Sequence, residues 1–469
     1  MEGKPGSGGE YTAMTPAWWA IPPGLGSNEY FQAVNEALGA TIDFEVADGN
    51  TYADKLQAVL ASDSIPDWVC IPGWNLPPRT SEVVANKFAD LTDFLAGDKI
   101  AKYPNLANIP TDAWRYAVFN GKLSALPFPS ELVGNPIYYR RDLFEKLGVE
   151  PPGSAQEFLE LAKEITDPDN KRWACDDMWT TAQTIFHTPP DRPHYWKLVD
   201  GELVHKVETE EYIEALEWCR KLYEAGVVHP DAVAGKTADA KQRFESGETL
   251  IYNDGTGAWY EAVNRQAESN PEFDMQAMDF FAPDGGQPRI WAAAAASLYS
   301  FISKEKSTAE IEELLALADF IAAPFGTTEH LLINYGVEGV HHERNADGAP
   351  ELTEKGSTEV TQTYSFLVTP PRVYAKVDHP QLVKDYCAWS ARQAPHVEKP
   401  LFYGMQIQEP TRYATLFTPF EDLQKDVVRG RRSIADVRDA VENWRKQGGD
   451  ELRGWYADLL EKTEENSGN

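Results

Sequence analysis

From Tyr11 to Ile71 the chain alternates short apolar strands with amphipathic helices, and this constrains its fold more than any other feature. Tyr11–Pro16 is a candidate strand, Asn28–Leu38 a helix closed by Gly39, and Thr41–Val46 the next strand. Tyr52–Ala61 follows as a helix with Leu56, Val59 and Leu60 on one side, and Trp68–Ile71 is the third strand. Alternation of this kind argues for an α/β domain. Beyond it, KFADLTDFLAGDKIAKYPNL and WRYAVFNGKLSALPFPSE read as an acidic helix leading to a Gly-turn hairpin that ends in Pro.

After Pro136 the pattern becomes more helical. Asp142 and Glu145 form a capping box for a short helix that Gly148 ends, and Ser154 with Glu157 forms a second. Phe158, Leu161, Ala162 and Ile165 then fall at i, i+3, i+4, i+7 spacing, one face of a helix. Thr209–Ala225 reads as a helix stopping at Gly226, and KQRFESGETLIYNDG as helix, Gly break and strand. Ser307 and Glu310 box a helix whose buried stripe is Ile311, Leu314, Leu315 and Ala318. The C-terminal part is helical, broken by Gly430 and Gly448–Gly449. No internal repeat occurs, and only the two tails read as disordered.

At 469 residues the chain can build two or three cores of ordinary size. With 43 basic against 74 acidic residues its net charge is −31, which disfavours DNA or RNA as a partner. The charge weakly disfavours polyanionic sugars as well, although a local Arg cluster could overrule the global field. It is read first as a source of solubility. No run of ~18 apolar residues long enough to span a bilayer is present. Cys70, Cys175, Cys219 and Cys387 form no CxxC and leave three pairings open. Cys219 shares a helical face with Tyr212, Leu216 and Tyr223, and Cys70 lies in an apolar strand, so both read as small buried hydrophobes. Neither a metal site nor a thiol nucleophile is supported.

Five segments in order carry a family resemblance. They are Tyr52–Pro127, YYRRDLFEKLGVEPP (138–152), KQRFESGETLIYNDG (241–255), NYGVEGVHH (334–342) and the helices of Arg429–Leu460. Together they resemble the extracellular solute-binding proteins of ATP-driven (ABC) sugar importers, closest to the large lipoprotein branch that captures oligosaccharides. The resemblance implies a two-lobed, periplasmic-binding-protein-like α/β fold with several crossover strands and a helix-rich second lobe. Lobe one would be 11–127 plus 304–360, and lobe two 128–303 plus 361–462, flanked by a tether (1–10) and a disordered tail (463–469). Crossovers would fall near Leu126–Ser130, Tyr299–Ser303 and Val360–Leu367. Such lobes close on a ligand and signal occupancy to a membrane permease.

The polar start MEGKPGSGGE resembles the tether that follows a lipidated cysteine, with Met1 standing where a signal peptide has been removed. That implies an extracellular, lipid-anchored monomer whose partners are an oligosaccharide and a permease, with no nucleic acid, no cofactor and no catalysis. Some relatives carry a calcium loop after the capped helix. Here it reads Asp167-Pro168-Asp169-Asn170-Lys171-Arg172, with Lys171 and Arg172 where an oxygen ligand and Gly belong, and Met178 in place of the closing Glu. No metal is expected.

A carbohydrate binder needs flat aromatic platforms with a few fixed donors and acceptors between them. Trp18 and Trp19 follow the first strand and Trp74 the third, at the carboxyl ends where open α/β sheets place ligands. Adjacent Trp18 and Trp19 cannot point the same way, so one platform and one packing residue are expected. Glu131, Asn135, Trp179, Asn253, Asp254, Trp259, Trp291, Tyr335 and Glu338 complete the candidate ligand-binding set. For Asn253–Asp254 before Gly255, turn chemistry is the competing reading. The rival functions are a polysaccharide-active enzyme using a pair such as Glu131 and Asp254, and a surface scaffold using its aromatics for protein contacts. His187 and His194, flanking Pro189, Pro190 and Pro193, read as loop residues that cap or hydrogen-bond there.

Overall fold

A computed structural model describes the chain except residues 1–2, 63, 78, 190–194, 237, 372–378 and 468–469, with backbone alone for 463–467. His194 therefore lies outside the described residues. The chain divides into two compact units, 1–131 with 294–380 and 404–408, and 132–293 with 381–403 and 409–469.

The first unit is built on β1 (Glu10–Ala17), β2 (Thr41–Asp48) and β3 (Trp68–Pro72), with α1 (Glu29–Leu38) and α2 (Tyr52–Ala61) between them. β1 lies between β2 and β3, parallel to both. The strand Ala296–Ile302 runs antiparallel to β3, and Leu126–Pro129 runs antiparallel to it in turn. β3 is buried along its whole length, as its unbroken apolar run requires. The Asn28 side chain caps α1 by accepting from Phe31 N–H, and Gly39 closes it at φ +69°. Asn35 then exchanges two 3.1 Å hydrogen bonds with the Ile42 backbone, fixing helix to strand.

This sheet corrects the lobe boundaries. Residues 296–302 pair with β3, and the helix Thr363–Leu367 buries Tyr364, Phe366 and Leu367 in the same unit. Tyr299–Ser303 and Val360–Leu367 therefore belong inside the first unit and are not crossovers. The chain instead passes between the units at 131/132, 293/294, 380/381, 403/404 and 408/409. Nor is the start a free tether. Gly6 and Gly8 N–H donate to the Leu38 and Gly39 carbonyls, and Glu313 accepts from Gly9 N–H and the Tyr11 hydroxyl. At the other end the last helix continues to Ser467, through residues expected to be disordered.

The second unit carries a four-stranded sheet in the order Met275–Ala277, Ile137–Arg140, Thr249–Asn253, Trp173–Cys175, the last two parallel. Asp142 is not the N-cap expected from the sequence. Its carboxylate accepts from Arg140 Nε and Nη2 at 2.8 and 2.7 Å, a buried two-pronged pair, because Arg140 stands at the strand end just before the helix. Ser154 does cap its helix, but Glu157 accepts from Gly153 N–H instead of closing the box. Ser307 and Glu310 form the full box. The C-terminal helices are tied down by Arg445 and Arg453, both donating at 2.7 Å to Oε1 of the buried Glu208. Gly448, at φ 129°, makes the break between them.

All four cysteines are unpaired, with Cys70, Cys175 and Cys219 buried and Cys387 exposed. Burial pushes the three buried thiols up, away from the reactive thiolate. At the loop compared with a calcium site, Arg172 Nη2 lies 3.7 Å from Asp167, and Asn170 donates to the same carboxylate at 2.7 Å. The cation opposite that aspartate is the chain's own guanidinium. Among the described residues no group of His, Cys, Asp and Glu has the arrangement of a metal site, and no helix is long and apolar enough to cross a membrane.

Candidate functional site: an aromatic shelf at the carboxyl edge of the first sheet

β1 and β3 are parallel neighbours, so the residues that follow them, Trp18–Trp19 and Trp74, emerge at the same edge of the sheet. Tyr52 braces that edge from below, donating from its hydroxyl to Cys70 O at 2.7 Å. A small core of Cys70, Leu298 and Phe366 underlies the rings, with Trp18, Trp19 and Phe128 packed against it. Phe366 is the hub. Its ring centroid lies 5.8 Å from Trp18, 5.4 Å from Trp19 and 6.0 Å from Phe128, in tilted or edge-on contacts of the kind aromatic quadrupoles favour. Trp18 in turn meets Trp74 at 5.8 Å and 49°.

Trp74 is 63% exposed, on a three-residue turn, whereas Trp18 and Trp19 are half-buried. An indole presented to water from a packed base is a platform for an apolar ring face. Two polar atoms of the same segments, Trp19 Nε1 and Asn75 Oδ1, are buried and have no partner among the described residues. A donor and an acceptor in that condition cost about 1–3 kcal/mol each unless something matches them.

Gly49 makes room for Trp18. Its N–H donates to Ala17 O at 2.7 Å, and a Cβ there would stand 2.4 Å from the Trp18 indole. Gly49→Ala is therefore expected to displace the Trp18 ring at a cost of about 1–3 kcal/mol. A changed near-UV circular dichroism spectrum would report it. An unchanged spectrum and melting temperature would show that the ring is not seated there.

The remaining candidates do different things. Tyr335 ends the helix Thr328–Tyr335 with its ring 6.1 Å from that of His342, and exposed Glu338 pairs with Arg344 at 3.2 Å. In the second unit Asn253 donates to the Asn135 and Pro136 carbonyls, and Asp254 accepts from the Tyr252 hydroxyl and from Gly255 N–H. That is turn chemistry, the competing reading for these two residues. Asn135 itself is exposed, at φ +45°, and Glu131 is half-buried at the end of the first unit's first segment. Trp259 is 1% exposed, edge-on to Tyr138 at 5.7 Å and Trp389 at 6.4 Å. Its position one turn into a helix places it on the core face, so it offers no platform. Trp179 meets Tyr212 at 5.5 Å and lies under the Lys206 ammonium.

Trp291 is half-buried and stands 4.1 Å from the His187 ring, at 87°. Burial, with Arg289 nearby, lowers His187 from 6.5 to about 4, against the opposing pull of Glu398. A histidine held neutral in the fold binds fewer protons than in the unfolded chain, so its contribution is present above pH 6.5 and lost as pH falls toward 4. His187→Asn, which tolerates the positive φ of this position, is expected to remove up to ~3 kcal/mol of that acid sensitivity. Denaturant melts across this window check it; parallel pH profiles of the two proteins would contradict it.

Sequence reading missed Phe366 and Phe128, the hub and flank of the shelf. Phe128 was readable in LPFP at the end of a strand, but nothing local to TYSFL ties Phe366 to a sheet formed more than two hundred residues earlier.

Residues 22–324 match the model of the bacterial extracellular solute-binding protein family. Among curated proteins, the chain is 24% identical to the polygalacturonan/rhamnogalacturonan-binding protein YtcQ of Bacillus subtilis, over 73% of this chain and 69% of that one. It is 22% identical to lipoprotein LipO of the same organism, over 90% and 86%. Among solved structures, the N-glycan transport solute-binding protein NgtS of Streptococcus pneumoniae superposes with a TM-score of 0.71 at 14% identity, covering 98% of this chain and 99% of that one. The fold is thus the α/β, two-lobed, periplasmic-binding-protein-like one, and the chain belongs to the bacterial extracellular solute-binding protein family.

Proposed function

We propose that this protein is the substrate-capturing component of an ABC importer, that its cargo is an oligosaccharide, and that it releases the sugar unaltered to a membrane permease. The observation that carries this reading is the shelf of Trp18, Trp19 and Trp74 on the hub Phe366, with Trp74 largely exposed. Sugar rings present C–H faces to such platforms. One stacked ring supplies about 1 kcal/mol beyond area burial, whereas micromolar capture needs about −8 kcal/mol. Several sugar units on several aromatics are therefore required. Tyr335, Glu338, Glu131, Asn135 and Trp291 remain candidates for further contacts.

The carbohydrates named for YtcQ and for the N-glycan transport protein support the cargo class. The lipoprotein LipO supports a lipid-anchored, extracellular location. A monomeric state is part of the proposal. The enzyme reading has less support, because both oxygens of Asp254 already accept hydrogen bonds within its own turn. A thermal-shift screen over plant and microbial oligosaccharides tests the proposal. A hit should raise the melting temperature with the logarithm of excess sugar, and a screen without any hit would refute the cargo class.

A further inference from the structure

A pocket in the second unit, built entirely from that unit, has the chemistry of an acidic-sugar subsite. Its lining begins with Asp176, directly after the strand Trp173–Cys175, at the carboxyl edge that strand shares with its parallel neighbour Thr249–Asn253. That is where α/β sheets place ligands. The floor is apolar, from Met178, Leu222 and Val228, and the rings of Trp179 and Tyr223 line it. One wall is the last turn of the helix Thr418–Val428 with Arg429, from which Lys425 and Arg429 line the pocket one helical turn apart.

The charges decide the ligand. Asp176 is spent: Arg243 Nε and Nη2 donate to its two oxygens at 2.7 and 2.9 Å, and both side chains are buried. Asp177 accepts the Trp179 N–H at 2.9 Å. Neither Lys425 nor Arg429 has a hydrogen-bonding or ion-pair partner for its side chain among the described residues. Behind Trp179 the buried Lys206 ammonium lies 5.8 Å from the indole centroid. With Asp176 matched by Arg243, the ring-lined pocket holds two cations, Lys425 and Arg429, against one carboxylate, Asp177, in a chain of net charge −31.

We infer that this pocket takes a carboxylate-bearing unit, a uronate, of an acidic oligosaccharide, with Lys425 and Arg429 on the carboxylate and Trp179 and Tyr223 against the ring. The inference rests on the carbohydrate cargo proposed above and narrows it. A guanidinium and an ammonium together suit a carboxylate that is ionised at neutral pH.

Titration calorimetry with trigalacturonate and its fully methyl-esterified form tests it, since the two share a skeleton and differ in the charge, and one methyl group, at each carboxyl. The acid is expected to bind about tenfold or more tighter than the ester, with the gap shrinking as ionic strength rises. Lys425→Met/Arg429→Met, on the last turn of that helix, should close the gap to within about twofold. Equal affinity for acid and ester in the wild type, or a gap that survives in the double variant, overturns the inference. Binding of a neutral probe such as maltotetraose without binding of either galacturonate form also overturns it, but leaves the carbohydrate reading standing. If none of the probes binds and the oligosaccharide screen is likewise empty, both readings fall.

Discussion

Trp74→Ala is expected to weaken oligosaccharide binding by about 2 kcal/mol, roughly 30-fold, while leaving the melting temperature of the free protein unchanged. The size follows from what a tryptophan at the centre of a contact contributes. The unchanged stability follows from its 63% exposure: little of its surface is buried by folding, so little is lost on truncation. Phe366→Ala provides the contrast. That ring is 6% exposed and underlies Trp18, Trp19 and Phe128, so its loss should cost about 3–5 kcal/mol of stability and loosen the shelf as well. Calorimetric titration beside thermal melts separates the two effects. If Trp74→Ala binds as the wild type does, the shelf is not the sugar platform.

Arg140→Met, in the second unit, should lower stability by about 3–5 kcal/mol. The guanidinium pairs with Asp142 through two hydrogen bonds and donates from Nη1 to the Phe244 and Glu245 carbonyls at 3.1 and 3.0 Å. It also stacks 4.4 Å from the centroid of Phe273. Methionine would fill the space but leave a buried carboxylate and two carbonyls without their donor. Arg140→Met/Asp142→Leu should recover part of the loss, because removing both charges removes the stranded anion. Urea unfolding of the three proteins measures this. A single variant within ~1 kcal/mol of wild type would show that the pair is not isolated from water.

Much of this architecture was legible in the sequence, for identifiable reasons. The strands and helices of residues 10–72 were readable because periodicity, caps and breakers agree there; Asn28, Gly39 and the apolar run Trp68–Ile71 all act as local grammar dictates. Trp18, Trp19 and Trp74 were readable as a group because strand ends in an α/β sheet converge. What local pattern could not show was pairing at long range. Ala296–Ile302 belongs beside β3, and Phe366 belongs beneath Trp18, only because the chain returns to the first unit after residue 293. Asp142 looked like a cap because Asp and Glu three apart fit a box, but an arginine two residues earlier competes for the same carboxylate and prevails by a two-pronged bond. Trp259 fell on the buried face of its helix, which a single aromatic in a short helix does not reveal.

The central claim is capture of a carbohydrate without chemistry, and native mass spectrometry of the protein saturated with a thermal-shift hit tests it most directly. One intact oligosaccharide per chain, released on denaturation at its original mass after prolonged incubation, is the expected result. Shortened products, or no retained sugar at any concentration that shifts the melting temperature, would contradict it.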